Sequence, residues 1–199
     1  MPQLPPITRA LLLICTAVFC AQMLLGDWIE VWFALWPLGS GHFLPWQVLS
    51  YAFLHGDMGH LFFNMLGLWM FGAEIETIFG PKRYLQYLAA SALSGALIQL
   101  LISPLLGTMG ATIGASGALF GLLLAFGTLF PDRIIMPLFP PIPMKAKYFV
   151  LVFGAIELFF GMTSMRGGVA HFAHLGGMLG GWLMLRYWRG LPPFPPRRR

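Results

Sequence analysis

The chain is predicted to be all-α: a polytopic membrane protein of six transmembrane helices with an interfacial loop after the first. Three observations carry that expectation. Of the 199 residues, 58% are hydrophobic and 10% charged, against roughly 25% charged in soluble domains, so polar side chains are too few to cover a water-facing surface. The apolar residues fall into runs long enough to cross a ~30 Å hydrocarbon core, which takes ~20 residues in a helix. The Lys and Arg residues sort to one side of the spans so defined.

The first run, 7–26, follows a short Pro-rich start and is read as a retained span, being long for a signal sequence with no evident cleavage site. Residues 27–59 are apolar but interrupted. Trp28, Trp32, Trp36 and Trp46 alternate there with Pro37, Pro45, Gly39 and Gly41, and tryptophan favours the bilayer interface. This segment is expected to lie in the headgroup layer with short helical pieces. Runs 60–79, 84–106, 113–130, 145–162 and 170–188 complete the six, separated by turn residues such as Gly80-Pro81 and the Pro-rich stretch 131–143. The whole chain, 1–199, reads as one membrane domain. Cys15 and Cys20 lie five apart on the first run and point to different helix faces, so they are not expected to pair.

With both termini cytoplasmic, eleven of the twelve basic residues fall on the cytoplasmic side: Arg9, Lys82, Arg83, Arg133, Lys145, Lys147, Arg186, Arg189 and Arg197 to Arg199. Arg166 alone is left opposite. The net charge of +5 is therefore topogenic, and no nucleic-acid partner is implied.

This topology sends the second, fourth and sixth spans inward from the outer side. His60 and Asn64 then lie in the first turns of the second span, Ser116 of the fourth and His174 of the sixth, all at similar depth. Polar and ionisable groups inside a span are functional candidates. His60 and Asn64, four apart, share a helix face. Gly117 and Gly121 face the fourth span's neighbours as a small-residue ridge. Gly177 with Gly181, and Gly176 with Gly180, do the same on the sixth. Such ridges let helices touch backbone to backbone, which would bring Ser116 to His174. A hydroxyl beside an imidazole is a nucleophile beside a general base. Oxyanion donors would be the Ser116 N–H, the Asn64 amide and the His60 imidazole. No aspartate is placed to orient His174, and Glu157 lies deep in the fifth span, where a hydrogen bond to a neighbouring helix is expected. The expectation is thus a Ser–His dyad.

Three motifs in order, His60-x-x-x-Asn64, Gly114-Ala115-Ser116-Gly117 and Ala173-His174-Leu175-Gly176-Gly177 running into Gly181, make the chain resemble a rhomboid intramembrane serine protease of the minimal six-span bacterial type. That resemblance implies Ser116 as nucleophile, His174 as base, His60 and Asn64 as oxyanion helpers, and Phe120 as an aromatic ring packed on the histidine. It also implies a fifth span that tilts to admit substrate, single-span membrane proteins as substrates cut near their outer ends, no cofactor, and a bacterial inner-membrane location. It favours His174 over His171 as base, since Gly177 and Gly181 follow His174 at the family spacing. Glu76 resembles a residue that ties helix ends. The family often has Trp-Arg where this chain has Trp46-Gln47, which puts a loop anchor in question.

Two other readings compete. One is a non-catalytic rhomboid-like binder of transmembrane segments, which usually lacks the serine or histidine present here. The other is a metal site from His55, His60, His171 and His174, for which no carboxylate or cysteine completes a familiar set. Chelators are accordingly expected to leave activity intact.

Overall fold

The computed structural model describes residues 4–107, 110–138, 141–163 and 170–195. Arg166 and Arg197 to Arg199, which carry part of the charge asymmetry, lie outside them.

Helix α1, Pro6–Leu25, begins on a proline, which has no N–H to leave unsatisfied in a first turn. The next two donors, the Ile7 and Thr8 N–H groups, go to the two carboxylate oxygens of Glu76 at 2.9 and 2.7 Å. Glu76 is fully buried. A lone buried carboxylate would be costly, but here it sits at the positive end of a helix dipole with both oxygens bonded. It fastens the first helix to a later one.

The first loop holds two short helices, α2 (Asp27–Phe33) and α3 (Gln47–Ser50), and a 3₁₀ turn at Tyr51–Phe53. Gln47 is its hub. Its Oε1 accepts from the Trp36 and Leu44 N–H groups at 3.3 and 3.1 Å. Its Nε2 donates to the carbonyls of His42, Val31 and Trp32 at 3.1, 3.3 and 3.4 Å. Gln47 therefore anchors the loop in the place where an arginine was missed. Trp46 donates to the Trp32 carbonyl at 2.9 Å and stacks on the Trp32 ring.

Helix α4, Met58–Gly67, is capped by Asp57, whose carboxylate accepts the His60 N–H at 2.8 Å. It continues through a π turn at Leu68–Gly72 into α5, Ala73–Leu106. The expected spans 60–79 and 84–106 meet inside α5 at Gly80, whose φ of 72° breaks the helix. Glycine takes that conformation without steric cost.

Helix α6, Ser116–Leu129, starts later than the expected 113. Gly114 has φ 122° and gives its N–H to the Tyr51 carbonyl at 2.9 Å, so the helix cannot begin before it. The all-α expectation is modified after α6 by a two-residue antiparallel ladder, Ile134–Ile135 with Met144–Lys145, Ile134 opposite Lys145. Beside it Asp132 accepts from Lys145 and Lys147 at 3.0 and 2.9 Å, and these cations hold its carboxyl below the usual carboxylate range. Helices α7 (Ala146–Thr163) and α8 (His171–Arg189) complete the chain. Cys15 is buried, Cys20 exposed, and both are free.

Helix α8 packs against α5, α6 and α7, and its two glycine ridges face different partners. A Cβ on Gly176 would stand 2.8 Å from the Ser94 carbonyl oxygen of α5, and one on Gly180 would stand 2.6 Å from that of Ala90. On the other ridge, a Cβ on Gly177 would overlap the Gly117 carbonyl, and one on Gly181 would lie 3.3 Å from Gly121 Cα in α6. Backbone carbonyls stand against Gly176, Gly177 and Gly180, and the Tyr87 ring stands nearest to Gly181. Gly177→Ala is expected to force α6 and α8 apart, costing about 1–3 kcal/mol as overpacking does. Thermal unfolding in detergent would register it as a lower Tm.

The exterior is apolar. Leu24, Leu105, Leu151 and Phe159 are among many large hydrophobic side chains left exposed, far more than a water-soluble surface carries. Among the described residues, three helical stretches are long and apolar enough to cross a membrane: Pro6–Leu25, Met58–Leu106 and Ala146–Thr163.

Candidate active site

Ser116 is the first residue of α6. The strand-like segment before it is pinned by the first loop. Leu35 and Thr112 exchange backbone hydrogen bonds at 2.9 Å each, and Tyr51 takes the Gly114 N–H. The Tyr51 hydroxyl in turn donates to the Ala92 carbonyl in α5 at 2.9 Å. The serine thus sits on a helix start held from two sides, half-buried, with the unpaired N–H groups of a first turn beside it.

His174 comes from the first turn of α8, brought in by the Gly117–Gly177 contact. Its Nε2 lies 2.6 Å from Ser116 Oγ. The ring is buried and stacked on Phe120 at 4.5 Å with 8° between planes, which fixes its orientation. Its Nδ1 lies 2.8 Å from Oε2 of Glu157, in α7. The expectation of a histidine with no carboxylate partner is therefore corrected: α7 turns Glu157 toward α8, and the acid occupies the place that an aspartate was thought to leave empty. His171 Nδ1 meets the same oxygen at 2.7 Å. His171 does not approach Ser116; its ring stacks near Phe160.

An imidazole has one N–H when neutral. With a carboxylate on Nδ1, that proton sits on Nδ1 and Nε2 is left free to accept from the serine hydroxyl. The arrangement can therefore make a nucleophile of Ser116.

The His60 ring lies over Gly114. A Cβ there would be 2.6 Å from His60 Nε2 and 3.7 Å from Ser116 Oγ, so both the positive φ and this contact require glycine. The Gly56 N–H donates to His60 Nδ1 at 3.3 Å. Nδ1 being an acceptor, the neutral ring carries its proton on Nε2, the atom facing the Gly114–Ser116 edge. His55 packs edge-on against His60 at 5.2 Å. Burial pushes the His55 imidazole down to about 4, so it is a neutral wall. Asn64 is buried on the same face of α4 and gives Nδ2–H to the His60 carbonyl at 2.8 Å. It makes no hydrogen bond to Ser116 or His174, and its Oδ1 has no partner among the described residues.

A hydroxyl, an imidazole and a carboxylate in line, inside a helical bundle with an apolar exterior, define a multi-pass membrane protein built around a polar centre. The chain belongs to the rhomboid family: the Rhomboid domain matches residues 42–190, which include every residue of this centre. It is 36% identical over 139 residues to the mitochondrial Rhomboid protein 1 of Saccharomyces cerevisiae, covering 69% of this chain and 40% of that protein. It is 27% identical over 188 residues to the Rhomboid protease GlpG of Yersinia pestis, covering 94% of this chain and 63% of that protein. The chain thus spans less than two thirds of the length of either relative.

Proposed function

We propose that this protein is an intramembrane serine endopeptidase, with Ser116 as nucleophile and His174 as general base. The 2.6 Å contact between Ser116 Oγ and His174 Nε2 carries the proposal, and the Yersinia pestis relative's name of rhomboid protease agrees with it. His174 takes the hydroxyl proton as Oγ attacks a peptide carbonyl, then returns it to the leaving amine, leaving an acyl-enzyme for water to open. The oxyanion is received by the Ser116 N–H at the start of α6, by His60 Nε2–H and by the second N–H of the Asn64 amide. Glu157 is a positioning residue. It holds the His174 tautomer and balances the charge that the ring gains in the transition state.

The substrate class is a single-span membrane protein. Helices α4 and α7 each pack on α6 and expose large apolar side chains such as Phe63 and Phe159, so a transmembrane segment approaching from lipid would meet a matching surface. A short α6 agrees with a site below the outer surface, since 14 residues rise only about 21 Å. In this reading the chain is one domain with six spans, the Trp-rich first loop lies in the outer headgroup layer, and both termini face the cytoplasm of a bacterial inner membrane.

A fluorophosphonate probe tests the central assignment. It reacts with an activated serine and with little else, so the purified protein is expected to label once, at Ser116, as read by peptide mass spectrometry. Absence of labelling would favour the non-catalytic binder of transmembrane segments.

A further inference from the structure

We propose that Glu157, His171 and His174 form a binding site for a zinc-class divalent cation, and that an ion held there turns the hydrolytic centre off. The second half rests on the protease reading; the first does not.

Glu157 Oε2, His171 Nδ1 and His174 Nδ1 all lie within 4.8 Å of one another. The two nitrogens stand 2.7 and 2.8 Å from the shared oxygen. Zinc bonds of ~2.0–2.2 Å in tetrahedral geometry place ligand atoms roughly 3.3 Å apart, so an ion would open the two nitrogen–oxygen contacts by about half an ångström and bring the two nitrogens to the same spacing. The donor set is two imidazole nitrogens and one carboxylate. Calcium and magnesium prefer all-oxygen sites, whereas imidazole suits zinc and its neighbours. The three side chains are 10–13% exposed, enough for a water to take the fourth position. His171 and His174 are three apart at the start of α8, on one face, and Phe160 and Phe120 stack on their rings. Both rings are therefore already turned toward the shared oxygen before any ion arrives.

Without an ion, Oε2 accepts an N–H from each ring, and every polar atom of the cluster in contact is satisfied. With an ion on His174 Nδ1, the one proton of the neutral ring must sit on Nε2. That atom faces Ser116 Oγ, so the ring now donates to the serine and cannot take its proton. No proton is released overall, since each simply moves from Nδ1 to Nε2. In serine proteases a wrong histidine tautomer lowers kcat by about 10⁴. The metal here would thus be an inhibitor, the reverse of its role in a metalloprotease.

Zinc ion is titrated into tag-free Ser116→Ala protein in detergent, with cobalt(II) absorption as a second probe of the ligand set. One ion per chain is expected, and adding His171→Ala is expected to weaken binding at least about tenfold, as lost zinc-site groups do. Wild-type cleavage of a single-span protein and its fluorophosphonate labelling are both expected to fall on adding zinc and recover with EDTA. His171→Ala, measured against its own metal-free rate, should need at least about tenfold more zinc. No binding by the Ser116→Ala protein, or binding indifferent to His171→Ala, would overturn the site. Binding without inhibition would overturn the switch. A wild type inactive even in EDTA would sink the protease reading and the switch with it, while the titration would still decide the site.

Discussion

Ser116→Ala is expected to abolish cleavage of a tagged single-span protein, and His174→Ala to do the same. In serine proteases, losing the serine or the histidine alone costs about 10⁶ in kcat, about as much as losing both. The reason is that each has no catalytic role without the other: an imidazole with no hydroxyl to deprotonate, or a hydroxyl with no base. The Ser116→Ala/His174→Ala double variant is therefore expected to be no slower than either single one. Removing one oxygen from a half-buried side chain should leave Tm nearly unchanged. His174→Ala also removes the ring that stacks on Phe120 at 4.5 Å and should lower Tm. Gel-based cleavage in detergent with a parallel melting curve separates the two effects. A single variant that keeps wild-type turnover with an intact fold would reject its residue's role.

The parts of the fold that could be read in advance are those set by length, hydrophobicity and glycine spacing. A run of apolar residues has one low-energy form in lipid, a helix, because its backbone must bond internally. Gly177 and Gly181 announced the α6–α8 contact because close approach needs missing side chains. That contact accounts for the Ser116–His174 pairing across 58 positions of sequence. The asymmetry of Lys and Arg led to an expected orientation for the spans but said nothing about their rotation.

Rotation is what escaped. Glu157 was visible as a charge in a span, but its direction depends on how α7 turns about its own axis, and α7 has no glycine ridge of the α8 kind. A signal was present: a carboxylate at membrane depth needs donors, and His171 and His174 offer two on one face of the next helix. Gln47 was missed for a different reason. A glutamine has two donors and an acceptor oxygen, and only the folded loop shows five backbone groups converging on it. Gly114 was noted for its place in a motif, whereas its positive φ follows from the Tyr51 carbonyl that captures its N–H. Asn64 was read from its helix face, and its bond to the His60 carbonyl uses a donor that the sequence left open.

Glu157→Gln is expected to lower kcat by about 10²–10⁴ with KM little changed; carboxylate loss in serine protease triads reaches about 10⁴. The size follows from what the carboxylate does at each stage. In the resting centre it accepts the His174 Nδ1–H at 2.8 Å, which selects the tautomer that leaves Nε2 open. In the transition state of the proposed reaction the ring carries a positive charge, and a fixed negative charge beside it is worth more than in water because the site is 10–12% exposed on both partners. Glutamine keeps an acceptor oxygen but no charge, and its amide can turn its NH₂ toward the ring and favour the wrong tautomer. Glu157→Ala loses acceptor and charge together, so activity should fall in the order wild type, Gln, Ala. A ground-state contact that merely braced α7 against α8 would change Tm and KM and leave kcat alone. Proton NMR of the Ser116→Ala protein gives an independent reading, since a ring N–H bonded to a carboxylate resonates far downfield. That signal should vanish with Glu157→Gln. Its persistence, or a kcat indifferent to both substitutions, would leave His174 oriented by Phe120 alone and return the centre to a dyad.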